Sequence, residues 1–296
     1  MKSFPFICLL FLLSGTVFIS CKKEKLDSKS VITDPVAGEP TALDKYILRE
    51  FVTPYNIRIL YKYVDAESDM DYNLSPADYE SSVRMTRLIQ YLGIGPYDAV
   101  TGSKEFIRSC FPKLLNYIGS PAYNNNGTAI LGTAEGGLKI NMFYVNGLTA
   151  ENASNIDYLN NTYFHTIHHE FGHILNQLKP YSNRFREISG TKYLQDDWRN
   201  ISLDEALERG FISAYASKEA VEDFVEVASL YMIMSAEDWE SRISSGGSEG
   251  KNILLEKAEI VKEYYQTSWN ISLDSMRSEI LKRQANLDNF DPLNIR

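Results

Sequence analysis

The densest chemistry in this sequence lies in five residues, His169-Glu170-Phe171-Gly172-His173. Two imidazoles at i and i+4 of a helix sit one turn apart on the same face, so both can bind one metal ion. The glutamate between them points beside that ion, where it can take a proton from a water that the metal activates. All 4 histidines of the chain fall between His165 and His173. His168 points off the face shared by His169 and His173. His165 lies two turns from His173, so it is expected as a neighbour of the site at most.

Catalytic zinc usually takes three protein ligands and leaves one position for water. The metzincin arrangement would need Gly and His where Asn176 and Lys179 stand. No histidine remains downstream, so a carboxylate is the natural third ligand. The segment from Tyr215 to Glu226 supplies the best candidates. Glu222 and Glu226 are one helical turn apart, with Phe224, Val225, Ala228 and Leu230 as apolar contacts. Glu222 is expected to bind the metal. Glu226 is expected to hydrogen-bond the far ring nitrogen of His169 and fix its tautomer.

These residues need a scaffold. Tyr163, Ile167, Phe171, Ile174 and Leu178 recur at helical spacing and predict a motif helix from Tyr163 to Leu178, ended by Lys179-Pro180. The ligands would face a cleft on the other side. Upstream, residues 57–64 read as a strand, and Ser75-Pro76 opens a helix to about Leu92. Lys104 to Cys110 is expected helical, and Lys113 to Ile118 extended. Ala129–Leu131 and Leu138–Val145 read as strands, with Gly132 to Gly137 turning between them. The Leu138–Val145 strand is expected as an edge that pairs with an extended peptide. After Asn161 the pattern is almost wholly helical, with helices over 220–234, 238–244, 252–265 and 273–284. A small mixed sheet followed by helices is an α+β pattern. Asp196-Asp197-Trp198 lies between motif and third ligand, where it could line the cleft.

The N-terminus reads as an address. Lys2 is followed by an apolar run, Phe4 to Leu13, too short to span a membrane stably. Phe18-Ile19-Ser20-Cys21 resembles the lipobox of bacterial lipoproteins, which implies a signal over 1–20 and a mature chain beginning at lipidated Cys21. Several acyl chains on one residue would anchor it firmly. Residues 21–40, with a Lys-rich start and Pro35, Gly38 and Pro40, read as a flexible tether. The folded domain is expected over 41–296. Only Cys110 remains in it, so no internal disulfide can form there.

The chain has 296 residues and 44 % hydrophobic residues, enough for a substantial core. A formal net charge of −9 argues against nucleic acid as a partner.

His-Glu-Phe-Gly-His, a downstream Tyr215, and seven residues later Glu222-x-Phe224-x-Glu226 resemble the lethal-factor-like branch of the glutamate-zincins. The resemblance implies a zincin-like fold, a Zn²⁺ ion on His169, His173 and Glu222, Glu170 as general base and Tyr215 as donor to the developing oxyanion. With the lipobox, the chain is also similar to substrate-import-associated zinc metallohydrolase lipoproteins. That implies a peptide or protein substrate and an outer-membrane location, on the periplasmic side or the cell surface. A neighbouring nutrient receptor would be the partner. The motifs that carry the resemblance span only residues 169 to 226. Two other functions fit the same residues: a non-catalytic capture lipoprotein with structural zinc, and an amidase acting on a non-peptide substrate.

Overall fold

The structure, a computed structural model, describes residues 39–69, 71–123, 129–135 and 137–296. The expected signal, Cys21 and nearly all of the expected tether lie outside the described residues.

Six strands form. They are β1 (Arg58–Leu60), β2 (Leu114–Tyr117), β3 (Ala122–Tyr123), β4 (Ala129–Ile130), β5 (Gly132–Glu135) and β6 (Lys139–Met142). The main sheet has the order β1-β2-β6-β5. β1, β2 and β6 run parallel, and β5 is antiparallel to β6. β3 and β4 pair as a separate antiparallel ribbon.

Two expectations are corrected here. Gly132 to Glu135 is a strand, not a turn. Gly and Ala have little intrinsic preference for extended structure. The backbone nevertheless pairs with β6, Gly132 facing Met142 and Glu135 facing Lys139, and that ladder overrides local preference. The second correction follows from the first. β6 has neighbours on both sides, so the Leu138–Val145 segment is not an edge. Among the described residues, the edge of the sheet near the site is β5, whose Gly132 packs on the motif helix. A Cβ at Gly132 would stand 2.5 Å from Thr166 Cγ2, so only glycine lets strand and helix approach this closely.

The motif helix spans His165–Leu178, and a π-helical turn, Asn160–Phe164, leads into it. Its apolar face is buried as expected at Tyr163, Ile167, Phe171 and Ile174, but Leu178 is 55 % exposed at the helix end. Phe171 packs among Tyr97, Phe106 and Phe111, with ring centroids 5.0–5.8 Å away. Burying a ring of that size stabilises the fold by about 1.5–3 kcal/mol.

The helix expected from Ser75-Pro76 begins later, at Tyr79, and runs to Leu88 before a π-helical turn, Ile89–Ile94. Tertiary bonds claim the preceding backbone. Ser75 C=O accepts from Gly119 N–H at 2.8 Å, and Pro76 C=O accepts from Asn146 Nδ2 at 3.1 Å. The C-terminal helices form as expected, over Ala220–Ile233, Ala236–Ser244, Gly247–Trp269 and Leu273–Ala285. Short helices at Asn183–Ser189 and Leu203–Glu208 add to those named from the sequence. The result is α+β: a small mixed sheet and the motif helix, joined by a helical C-terminal half.

The Ala220–Ile233 helix crosses the motif helix at close range. A Cβ at Gly172 would meet Val225 Cγ1 at 2.9 Å. The glycine inside the motif therefore sets how near the two helices come. Its first turn is held from below by a buried ion pair, Lys257 Nζ to Asp223 Oδ2 at 2.6 Å. Lys257 also donates to Gly210 C=O at 2.7 Å, and Tyr193 OH donates to Asp223 at 2.9 Å. Three stretches of chain thus converge beneath Glu222.

Candidate metal centre

The helix crossing brings three atoms together. His169 Nε2 and His173 Nε2 are 3.1 Å apart. Glu222 Oε2 lies 3.1 Å from the first and 3.0 Å from the second. A tetrahedral zinc ion with bonds of about 2.0–2.1 Å spaces its ligand atoms about 3.3 Å apart. Two imidazole nitrogens and one carboxylate oxygen at nearly that spacing are a donor set that fits zinc. The residues expected from the sequence as ligands are the ones that converge.

Two of the three, His169 and Glu222, are held from behind. His169 Nδ1 lies 2.8 Å from Glu226 Oε1. An Nδ1–H donated there leaves the Nε2 lone pair free for a metal. Ser213 Oγ donates to the other oxygen of Glu226 at 2.5 Å and accepts from Ala216 N–H at 3.0 Å. One buried carboxylate so connects His169 to the turn that carries Tyr215. His165 Nε2 also lies 2.8 Å from Glu226 Oε1, without the alignment of a hydrogen bond. His165, His169 and Glu226 form a second cluster of metal-ligating groups, sharing His169 with the first. The carboxylate–imidazole contact within it is of hydrogen-bond length, so we read Glu226 as orienting His169.

Glu222 turns its second oxygen the other way. Tyr215 OH donates to Oε1 at 2.8 Å and Lys218 Nζ at 2.9 Å. Tyr215 stands on a 3-10 turn, Tyr215–Ser217, just before the helix, as its spacing from Glu222 suggests. Its hydroxyl rests on the ligand carboxylate itself.

The charges are those of a cation site. Burial disfavours a charged His169, yet hydrogen bonds to Glu222 and Glu226 outweigh it and raise the ring to about 10. Burial works against the Glu222 carboxylate too, but His169, His173 and Lys218 hold its pKa far below the usual range. Burial raises the Tyr215 phenol, and the neighbouring carboxylates Glu222, Glu170 and Glu226 raise it further, so it stays a neutral donor. His168 is different. It is buried beside Tyr97, its Nδ1 3.1 Å from the phenol oxygen, and burial pushes it down to about 3. It is a neutral core residue, off the ligand face as expected.

A cleft of about 410 Å³ opens beside the triangle, reaching it at His169. Residues 129–132 line it, with His165, Glu170, Trp198, Tyr215 and Lys218. Of the Asp196-Asp197-Trp198 stretch, Trp198 lines the cleft, its ring edge-on to Tyr215 at 5.0 Å. Asp196 and Asp197 are exposed and are not among the lining residues. Lys218, Ser213 and Arg199 were not anticipated from the sequence. Lys218 carries a signal in its position four residues before Glu222, where a helical or near-helical turn brings the two together.

No curated protein matches the chain. The crystal structure of "a putative zinc-binding metallo-peptidase from Bacteroides caccae" is similar over 90 % of this chain and 100 % of that one, at 35 % identity and a TM-score of 0.75. Residues 37–274 match a family described as "Putative zinc-binding metallo-peptidase". That match contains the paired histidines, the glutamate between them and the Glu222 helix, and the chain belongs to this family.

Proposed function

We propose that this protein is a lipid-anchored zinc peptidase that hydrolyses peptide bonds, with Glu170 as general base. The observation that carries the reading is the triangle of His169 Nε2, His173 Nε2 and Glu222 Oε2 at 3.0–3.1 Å, whose His169 lines one cleft together with Glu170. A structural zinc site is closed by four protein ligands. Here three converge among the described residues.

His169, His173 and Glu222 would hold zinc, which would supply Lewis acidity to the attacked carbonyl and to the attacking water. Glu170 takes the water proton on its carboxylate and hands it to the leaving nitrogen, so the amine departs neutral. Tyr215 donates to the carbonyl oxygen as charge develops there, giving up its bond to Glu222. Glu226 holds His169 in the tautomer that binds. The edge of β5 offers backbone groups to an extended peptide.

The address belongs to the same reading. Lipidation at Cys21 would tether the domain at the outer membrane beside a nutrient receptor, where peptide cleavage could serve import. Lys22 supports the outer membrane, since it replaces the Asp expected after the cysteine of inner-membrane lipoproteins. Cys21→Ala should move the protein out of the membrane fraction, and a wholly soluble wild type would refute the anchor.

The decisive experiment compares wild type with Glu170→Gln on a complex peptide mixture, identifying products by mass spectrometry and zinc by elemental analysis. The variant should keep about one zinc per chain and lose at least about 10²-fold in turnover. A Glu170→Gln protein as active as wild type would sink the mechanism.

A further inference from the structure

Of the charged groups around the cleft, most are already engaged. Glu226 faces His169 and Ser213, and Lys218 Nζ sits between Glu222 at 2.9 Å and Glu219 at 3.4 Å. Arg199 is the exception. Its side chain lines the cleft and is exposed, and no carboxylate pairs with it among the described residues. Its guanidinium lies 5.5 Å from the centroid of the Trp198 ring.

This arginine is held in place relative to the metal centre. It belongs to a 3-10 helix, Gln195–Asn200. The start of that segment is bonded to the Tyr215 turn: Leu194 N–H donates to Ser217 C=O at 2.7 Å, and Gln195 N–H to Lys218 C=O at 3.1 Å. Gln195 takes a left-handed conformation, φ 51°, at this junction. Trp198 then packs edge-on against Tyr215, whose hydroxyl is on Glu222. Arg199 therefore extends a wall that is continuous with the ligand set.

The local charge is also unlike the whole. The chain carries −9. With zinc bound, two charges from the metal and one each from Lys218 and Arg199 would balance the four carboxylates Glu170, Glu219, Glu222 and Glu226. An unpaired, planar, five-donor cation in such a cleft matches a carboxylate bidentately.

We propose that Arg199 forms a carboxylate-binding subsite of the cleft, selecting peptides that carry an acidic side chain or a free C-terminus at the position seated there. The proposal rests on the peptidase reading for its substrate class. Its test separates the two. Zinc-loaded Glu170→Gln protein is titrated calorimetrically with three peptide sets: one Glu per peptide with an amidated C-terminus, the same with Gln, and the Gln set with a free C-terminal carboxylate. Cleavage of the same sets by wild type is measured in parallel.

At least one carboxylate set should bind on the order of tenfold more tightly than the amidated Gln set, as expected for a charge-assisted pair. A preference for the first set identifies the side chain, and for the third the C-terminus. Arg199→Glu, placed in the Glu170→Gln background, should abolish the preference. Equal binding of all three sets overturns the proposal, as does a preference that survives Arg199→Glu. Wild type that cleaves all sets alike, with no binding preference, removes the subsite and leaves the peptidase. Carboxylate peptides bound through Arg199 but never cleaved remove the peptidase and leave the subsite.

Discussion

Lys218 places its ammonium 2.9 Å from Oε1 of Glu222, the oxygen turned away from the two histidines. The two oxygens of this carboxylate thus have separate partners. Oε2 faces the histidine nitrogens, and Oε1 takes donors from Lys218 and Tyr215. A carboxylate held this way presents one oxygen to a metal and keeps the other occupied.

Removing the ammonium tests that division. Partners behind metal ligands typically contribute 10–100-fold to affinity. Lys218→Met keeps the length of the side chain and loses its donors. We expect zinc affinity to fall by about tenfold in chelator competition, with the thermal transition of the metal-free protein nearly unchanged. Affinity within twofold of wild type would show that Tyr215 alone holds Oε1.

The closeness of two helices matters as much as the ligands. Gly172 leaves room for Val225, and a methyl group there would press into Val225 Cγ1 at 2.9 Å. Gly172 is three residues from His169, and Val225 three from Glu222, so spreading this contact spreads the triangle. Gly172→Ala should destabilise the fold by about 1–3 kcal/mol in urea titration and weaken zinc binding. Adding Val225→Ala should restore much of both. A double variant no better than the single would place the cost elsewhere, for instance in the helix itself.

The two residue pairs of the candidate metal centre were legible in the sequence because helical geometry is local. His169 and His173 are bound to share a face, and Glu222 and Glu226 likewise, whatever surrounds them. The sheet edge was not legible. Gly132 to Glu135 has the composition of a turn, and only its pairing with β6 makes it a strand. The same holds for the late start at Tyr79, where bonds from Gly119 and Asn146 capture the backbone before it. Arg199 shows no local pattern at all. Its place in the cleft comes from backbone bonds between Leu194 and Ser217 and between Gln195 and Lys218, across a gap that no periodicity bridges.

Tyr215 is the side chain whose role depends most on the reaction. Its hydroxyl has one proton and gives it to Glu222 Oε1 at 2.8 Å in the resting site. Burial and three nearby carboxylates keep the phenol protonated, so it is a donor at any ordinary pH. Glu222 also has Lys218 on the same oxygen, so the phenol can leave without stranding the carboxylate. A substrate oxygen gaining negative charge in the cleft becomes the better acceptor. Such a donor acts chiefly in the transition state, and removing one typically costs 10²–10³ in rate. Tyr215→Phe should therefore lower kcat by on the order of 10², with KM changed far less. The ring still packs on Trp198, so the fold should hold. Because the hydroxyl also touches a ligand, zinc content must be measured on the same sample. A slow enzyme with full zinc supports the oxyanion role. A slow enzyme that has lost zinc, and recovers when zinc is added in excess, would make Tyr215 a support for Glu222 and nothing more.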